Sequence, residues 1–229
     1  SFEAGNEAEA EKANQFINAA TITESRLHGA LKIDSFSERR IVVEGDSYSD
    51  AIGDWYSYLR DSSSYLGKFS FKSYGTAGNT TTNMISQYAT QAHLDAPTVL
   101  GNDSWFMLYA GVNDIGTTGV AATTIYANLK SLWASARADH FKVAAFTILK
   151  TNIWTAPQLA TMDSVNNLIK SDASVYDILI DWNAAIDFSI NTSYTSDGLH
   201  PSASGARAMA NIVNQTFDAR PWILSKSSK

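Results

Sequence analysis

Ile41-Val42-Val43-Glu44-Gly45-Asp46-Ser47-Tyr48-Ser49-Asp50 is the stretch from which the rest of the chain can be read. Three consecutive β-branched residues predict a short buried strand, and Gly45 with Asp46 ends it, so Ser47 falls on the turn that follows. Beyond the turn, Ile52, Trp55, Tyr56 and Leu59 recur at spacings of three and four, which predicts a helix over 51–60. A hydroxyl at such a strand-to-helix junction is exposed at the carboxyl end of a sheet, where helix NH groups meet an arriving anion. Gly-Asp-Ser is equally an ordinary turn, and Ser or Asp an ordinary helix cap, so these residues alone leave nucleophile and cap both open.

Downstream the same rhythm recurs. An alternating stretch at 68–74 with one aromatic face predicts a strand, and the loop Gly75-Thr76-Ala77-Gly78-Asn79-Thr80-Thr81-Thr82 leads to a helix over 83–92. Ser104-Trp105-Phe106-Met107-Leu108-Tyr109 is nearly continuous in apolar residues, as a central strand buried on both faces is. It ends at Gly111-Val112-Asn113-Asp114, and a helix is expected over 121–139. A buried strand over 143–149, a helix over 157–170, a strand over 177–182 and a last helix over 203–217 complete the pattern. Strands alternating with helices predict an α/β fold, a mostly parallel five-stranded sheet covered on both sides.

The chain has 229 residues, 45% hydrophobic and 17% charged, enough for a sizeable core in a single domain. Residues 1–39 read as a leader, with a polar Ala- and Glu-rich helix over 3–20, and 40–229 as the main domain. The net charge of −6 and the lack of a clustered Lys/Arg face argue against nucleic acid as a partner. Cysteine is absent, which removes disulfides, thiolate metal sites and Cys nucleophiles together. No apolar run approaches the ~20 residues of a membrane span, so a soluble protein is expected. The chain opens at Ser1 without a charged-then-apolar signal pattern and is expected to be a processed or excised form; secretion stays one option for its compartment. Nothing in the sequence gives an oligomeric state.

The last connection, Thr195-Ser196-Asp197-Gly198-Leu199-His200-Pro201-Ser202, sets a carboxylate three residues from an imidazole across a glycine turn. Asp197 can accept a hydrogen bond from one ring nitrogen of His200 while the other faces outward as a general base. The alternative is a turn with an exposed histidine and Ser202 capping the next helix.

Taken together, Gly45-Asp46-Ser47, Gly78-Asn79-Thr80, Gly111-Val112-Asn113-Asp114 and Asp197-Gly198-Leu199-His200-Pro201 resemble, in order and spacing, the four motif blocks of the SGNH (GDSL-type) hydrolases. The resemblance spans 41 to about 217. It implies a three-layer α/β/α sandwich with a flavodoxin-like strand order, and an esterase that needs no cofactor. It further implies Ser47 as nucleophile, His200 as base and Asp197 as its orienter. The Ser47 NH, the Gly78 NH and the Asn113 amide would form the oxyanion hole. Two positions depart from the family's pattern: Tyr48 stands where an aliphatic residue is usual, and Gly75 competes with Gly78.

The resemblance allows short-chain esters, O-acetylated carbohydrates, lysophospholipids and thioesters as substrates. Small acyl groups are favoured because no long apolar lid segment is evident, and Tyr48, Ile153 and Trp154 are candidates to line an acyl or sugar site, the alternative being plain packing. A metal is not expected, since His28, His93, His140 and His200 lie far apart and form no His-x-x-x-His pair. A non-catalytic carbohydrate-binding module with the same fold is the rival class, although such a module would be expected to have lost Ser47, Asn113 or His200.

Overall fold

In the computed structural model the described residues are 39–50, 54–60, 64–98, 103–188, 190–195 and 197–220. The leader expected at 1–39, with its polar helix, therefore lies almost wholly outside them.

Five parallel strands, β1 (Arg40–Gly45), β2 (Ser70–Ser73), β3 (Trp105–Tyr109), β4 (Lys142–Phe146) and β5 (Ile178–Ile180), pair in the order β2-β1-β3-β4-β5. This is the flavodoxin-like order, in which β1 and β3 are neighbours and the winding changes direction between them. Crevices for ligands open at the carboxyl ends of the strands at such a switch point. All five residues of β3 are buried, as its unbroken apolar run requires of a strand covered on both faces. β2 lies at an edge, and its Ser70 and Lys72 face solvent, where a charge blunts the unpaired backbone.

The main helices are α1 (Trp55–Arg60), α2 (Thr81–Gln87), α3 (Ala122–Ala138), α4 (Ala156–Ser171), α5 (Trp182–Ala185) and α6 (Ala203–Asp218). Register puts Ile41, Trp105, Ala144 and Ile178 on one face of the sheet. There Trp105 meets Phe217 of α6 at 4.8 Å between ring centroids, and Phe146 meets Trp55 of α1 and Trp182 of α5 at 5.5 and 4.5 Å. Each such aromatic pair adds ~0.5–1.5 kcal/mol to the burial of its rings. On the opposite face Phe106 packs on Tyr88, just beyond α2, and α2, α3 and α4 pack side by side. The result is the expected α/β/α layering.

Several boundaries differ from those expected. The helix foreseen at 83–92 starts at Thr81, because Thr80 accepts the Asn83 NH and Asn83 returns a bond to the Thr80 NH. It breaks into 3-10 turns at Tyr88–Thr90 and Ala92–Asp95, where Tyr88 turns inward and its hydroxyl bonds Asp139. The strand foreseen at 68–74 shortens to Ser70–Ser73, since a 3-10 turn at Leu66–Lys68 seats Leu66 in the core. The strand foreseen at 143–149 ends at Phe146, and Ile148 instead exchanges backbone bonds with the side chain of Asn166.

Candidate active site

Ser47 sits one residue beyond Asp46 at the end of β1, in a turn closed by the Ser49 NH bonding the Asp46 carbonyl at 3.0 Å. It is nearly buried, 6% exposed. Its hydroxyl lies 3.0 Å from Nε2 of His200, 153 residues further along the chain, and Nδ1 of His200 lies 2.7 Å from Oδ2 of Asp197. The structure thus brings together the three residues that the sequence left in two separate turns.

The loop after β5 is built to hold this line. Asp197 Oδ1 accepts the backbone NH of Leu199 at 2.9 Å and that of His200 at 2.7 Å, so the carboxylate closes its own turn before it reaches the imidazole. Partial burial raises the Asp197 pKa, but the hydrogen bonds from the His200 ring and from these two NH groups outweigh it and hold the carboxyl down at about 2. An ionised Asp197 keeps the proton on Nδ1, which leaves the Nε2 lone pair for the Ser47 hydroxyl. Ser202 also caps α6, accepting the Gly205 NH at 3.2 Å, so helix capping and the His200–Asp197 contact occur in the same turn.

Three groups are candidate donors: the NH of Ser47, the NH of Gly78 and the side-chain amide of Asn113. Asn113, after β3, gives one amide hydrogen to the Asn79 carbonyl at 2.9 Å. Gly78, in the loop after β2, adopts φ +82, and a Cβ there would meet nothing within 4 Å. Among the described residues no acceptor takes the NH of Ser47 or of Gly78. Gly75 differs: its NH donates to Ser73 Oγ at 3.2 Å, and a Cβ would lie 2.0 Å from the Ser49 carbonyl oxygen. Gly75 is there so that the nucleophile-side loop can pass close by.

Asp114, next to Asn113 in its motif, has a structural task. It is buried and accepts both the NH of Thr81, at 2.9 Å, and its hydroxyl, at 2.7 Å, so the start of α2 is locked onto the loop that carries Asn113. A carboxylate adjacent to a motif amide was its only signal.

Tyr48 corrects an expectation. It is fully buried, with its ring 4.9 Å from Tyr109 and 6.0 Å from His200, and its hydroxyl donates to the Leu199 carbonyl. A side chain without exposed surface cannot line a substrate pocket; the turn directs position 48 inward while Ser47 points to His200. Trp154 is 8% exposed, beside Gly116, whereas Ile153 is 53% exposed and crowds Gly198, where a Cβ would lie 2.8 Å from Ile153 Cγ2. Of the three candidates, Ile153 has the most surface beside the His200 loop.

Two further carboxyls lie under the nucleophile turn. Glu44 and Asp46 are fully buried; Asp46 Oδ1 accepts the Tyr48 NH at 3.0 Å, and Glu44 has no side-chain partner among the described residues. Burial, with the Gly45 NH opposing it, pushes Glu44 up to about 8. Burial and, less, the charge of Asp114 push Asp46 up to about 7, against the Tyr48 NH. Among the described residues no three His, Cys, Asp or Glu side chains gather as a metal site would need, and no helix is long and apolar enough to cross a membrane.

The sequence matches the GDSL-like lipase/acylhydrolase family over residues 43–208. No protein of curated function matches it. Among solved structures, a putative acylhydrolase from Bacteroides fragilis is 24% identical, with a TM-score of 0.63 over 82% of this chain and 88% of that one. A GDSL-like lipase from Bacteroides thetaiotaomicron is 19% identical, with a TM-score of 0.61 over 82% and 89%. An acetylxylan esterase from Geobacillus stearothermophilus is 18% identical, with a TM-score of 0.63 over 79% and 94%. At these identities the likeness is one of fold.

Proposed function

The chain belongs to the GDSL-like lipase/acylhydrolase family, and from that premise we propose that it cleaves short acyl esters, acetyl esters above all, through an acyl-enzyme on Ser47. The observation that carries this reading is the unbroken line from Asp197 Oδ2 through both nitrogens of His200 to Ser47 Oγ, with spacings of 2.7 and 3.0 Å. A serine hydroxyl is a weak nucleophile at neutral pH. Nε2 of His200 takes its proton as Oγ attacks the ester carbonyl, and Asp197 holds the ring in the right tautomer and stabilises the imidazolium. The carbonyl oxygen becomes an oxyanion, met by the NH groups of Ser47 and Gly78 and by the second amide hydrogen of Asn113. Donors already aimed at that charge contribute ~10²- to 10³-fold each. His200 then gives its proton to the leaving alcohol, and a water deprotonated by the same nitrogen releases the acid and restores Ser47.

Gly78 is favoured over Gly75 as the backbone donor because the Gly75 NH is engaged by Ser73 Oγ. The acetyl preference is supported by the lack of a long apolar lid segment in the sequence and by the fold shared with an acetylxylan esterase. That likeness makes an acetylated carbohydrate the first alcohol portion to test, with Ile153 as a contact.

The test is a hydrolysis panel of acetyl, butyryl and long-chain p-nitrophenyl esters, lysophospholipid, an acyl thioester and acetylated xylo-oligosaccharides. The expected result is the highest kcat/KM on acetyl esters. Preference for long chains or thioesters would move the protein to the lysophospholipase or thioesterase reading. No turnover on any of them would favour a binding module.

A further inference from the structure

We infer that Tyr48 is a positioning residue for acyl transfer: its phenol clamps the peptide that carries His200, and so sets the distance between imidazole and nucleophile. The inference rests on the roles proposed above for Ser47 and His200. Tyr48 follows Ser47 directly in the chain, is fully buried, and donates to the carbonyl of Leu199, 151 residues away. That carbonyl and the NH of His200 are the two ends of one planar peptide group. The NH end is bonded to Asp197 Oδ1 at 2.7 Å. The peptide is thus gripped on one side by the nucleophile turn and on the other by the carboxylate. With both ends held it cannot rotate, and rotation is the movement that would swing the His200 ring away from Ser47.

Hydrogen counting fixes the direction of the bonds around this clamp. A carbonyl cannot donate, so the single hydroxyl hydrogen of Tyr48 goes to Leu199. The ring of Tyr109 packs against that of Tyr48, 4.9 Å between centroids. The Tyr109 oxygen in turn accepts the NH of Leu149 at 3.2 Å. Burial above all, then neighbouring Tyr109, Asp46 and Asp197, raises the Tyr48 pKa well above the ordinary tyrosine value and keeps it a donor. The phenol of Tyr48 joins the turn after β1 to the loop after β5. An aliphatic residue at 48 would fill the same space without holding the carbonyl.

Tyr48→Phe keeps the ring and removes the grip. The expected result is a fall in kcat per folded molecule of roughly 10- to 100-fold with KM within about twofold, because a small misplacement of a catalytic group costs rate rather than ground-state binding. Phosphorylation of Ser47 by diethyl p-nitrophenyl phosphate, which needs the same Ser47 and His200 geometry, should slow in parallel. Tyr176→Phe is the comparison variant, since Tyr176 is also a buried phenol donating to a backbone carbonyl, that of Ile169 at 3.1 Å, near the amino end of β5. It should lose stability and keep kcat.

Equal losses of kcat in the two variants, or an unchanged kcat in Tyr48→Phe, would overturn the clamp. If Tyr48→Phe is only partly folded, sucrose raises the folded fraction and kcat per folded molecule is read there. A wild-type protein that neither hydrolyses the panel nor is labelled on Ser47 would instead remove the proposed function, so the two failures are distinct.

Discussion

The side-chain amide of Asn113 reaches across from the loop after β3 to the Asn79 carbonyl, at 2.9 Å. An amide nitrogen has two hydrogens in one plane, so a bond that engages the first also fixes where the second points. A donor held in this way need not rotate to meet a developing charge, which is the preorganisation the proposed oxyanion role requires.

Asn113→Ala is therefore expected to lower kcat by ~10²-fold or more, about 2.7 kcal/mol, with KM nearly unchanged. Losing the bond to Asn79 should also cost about 1 kcal/mol of stability. Measuring kcat, KM and the unfolding midpoint on one preparation separates these effects. A normal kcat in a less stable variant would reduce Asn113 to a loop former.

Ser47→Ala should abolish turnover and leave the thermal midpoint close to wild type. The Ser47 hydroxyl bonds only the His200 ring among the described residues. Turnover of a p-nitrophenyl ester and thermal unfolding are read side by side; retained turnover removes Ser47 as nucleophile.

Gly75→Ala and Gly78→Ala should part company in stability. A methyl at Gly75 would lie 2.0 Å from the Ser49 carbonyl oxygen, so either the nucleophile loop moves or the protein fails to fold. At Gly78 the methyl meets open space and only the positive φ is strained, at a cost of roughly 1–2 kcal/mol. Urea unfolding of both variants checks this, and a larger loss for Gly78→Ala would contradict it.

Stability should fall as pH rises from about 4 to about 8. Glu44 and Asp46 have folded pKa values of about 8 and about 7, raised above those of the unfolded chain, so folding takes up protons in this window. Their contribution is complete below the unfolded carboxyl pKa and is lost as pH passes the folded values, at up to ~1.4 kcal/mol per pH unit for each group. Glu44→Gln replaces the carboxyl by a neutral group of similar shape, and should raise the thermal midpoint more at pH 8 than at pH 5. An equal effect at both pH values would place the burial cost of Glu44 elsewhere.

The sequence by itself determined the alternation of strands and helices and the four motif blocks. Both are local: the apolar run of β3 and the three- and four-residue spacings of the helices depend only on near neighbours, and a family match over 43–208 agrees with them. Which side chains meet was decided by tertiary structure. Tyr48 is one residue from Ser47 and reads equally well as pocket wall or core; its inward turn depends on a carbonyl 151 residues away. Gly75 and Gly78 are equivalent in sequence, and only the approach of Ser49 and the hydroxyl of Ser73 assign Gly75 to close packing, while the NH of Gly78 meets no acceptor among the described residues. Glu44 looks like one polar residue at the end of an apolar strand, yet the layer packed over β1 removes its water, and no side chain among the described residues partners it. Periodicity records which face a residue occupies; the partners that face meets come from segments far apart in the chain, and it is those partners that set the hydrogen bonds and pKa values of the site.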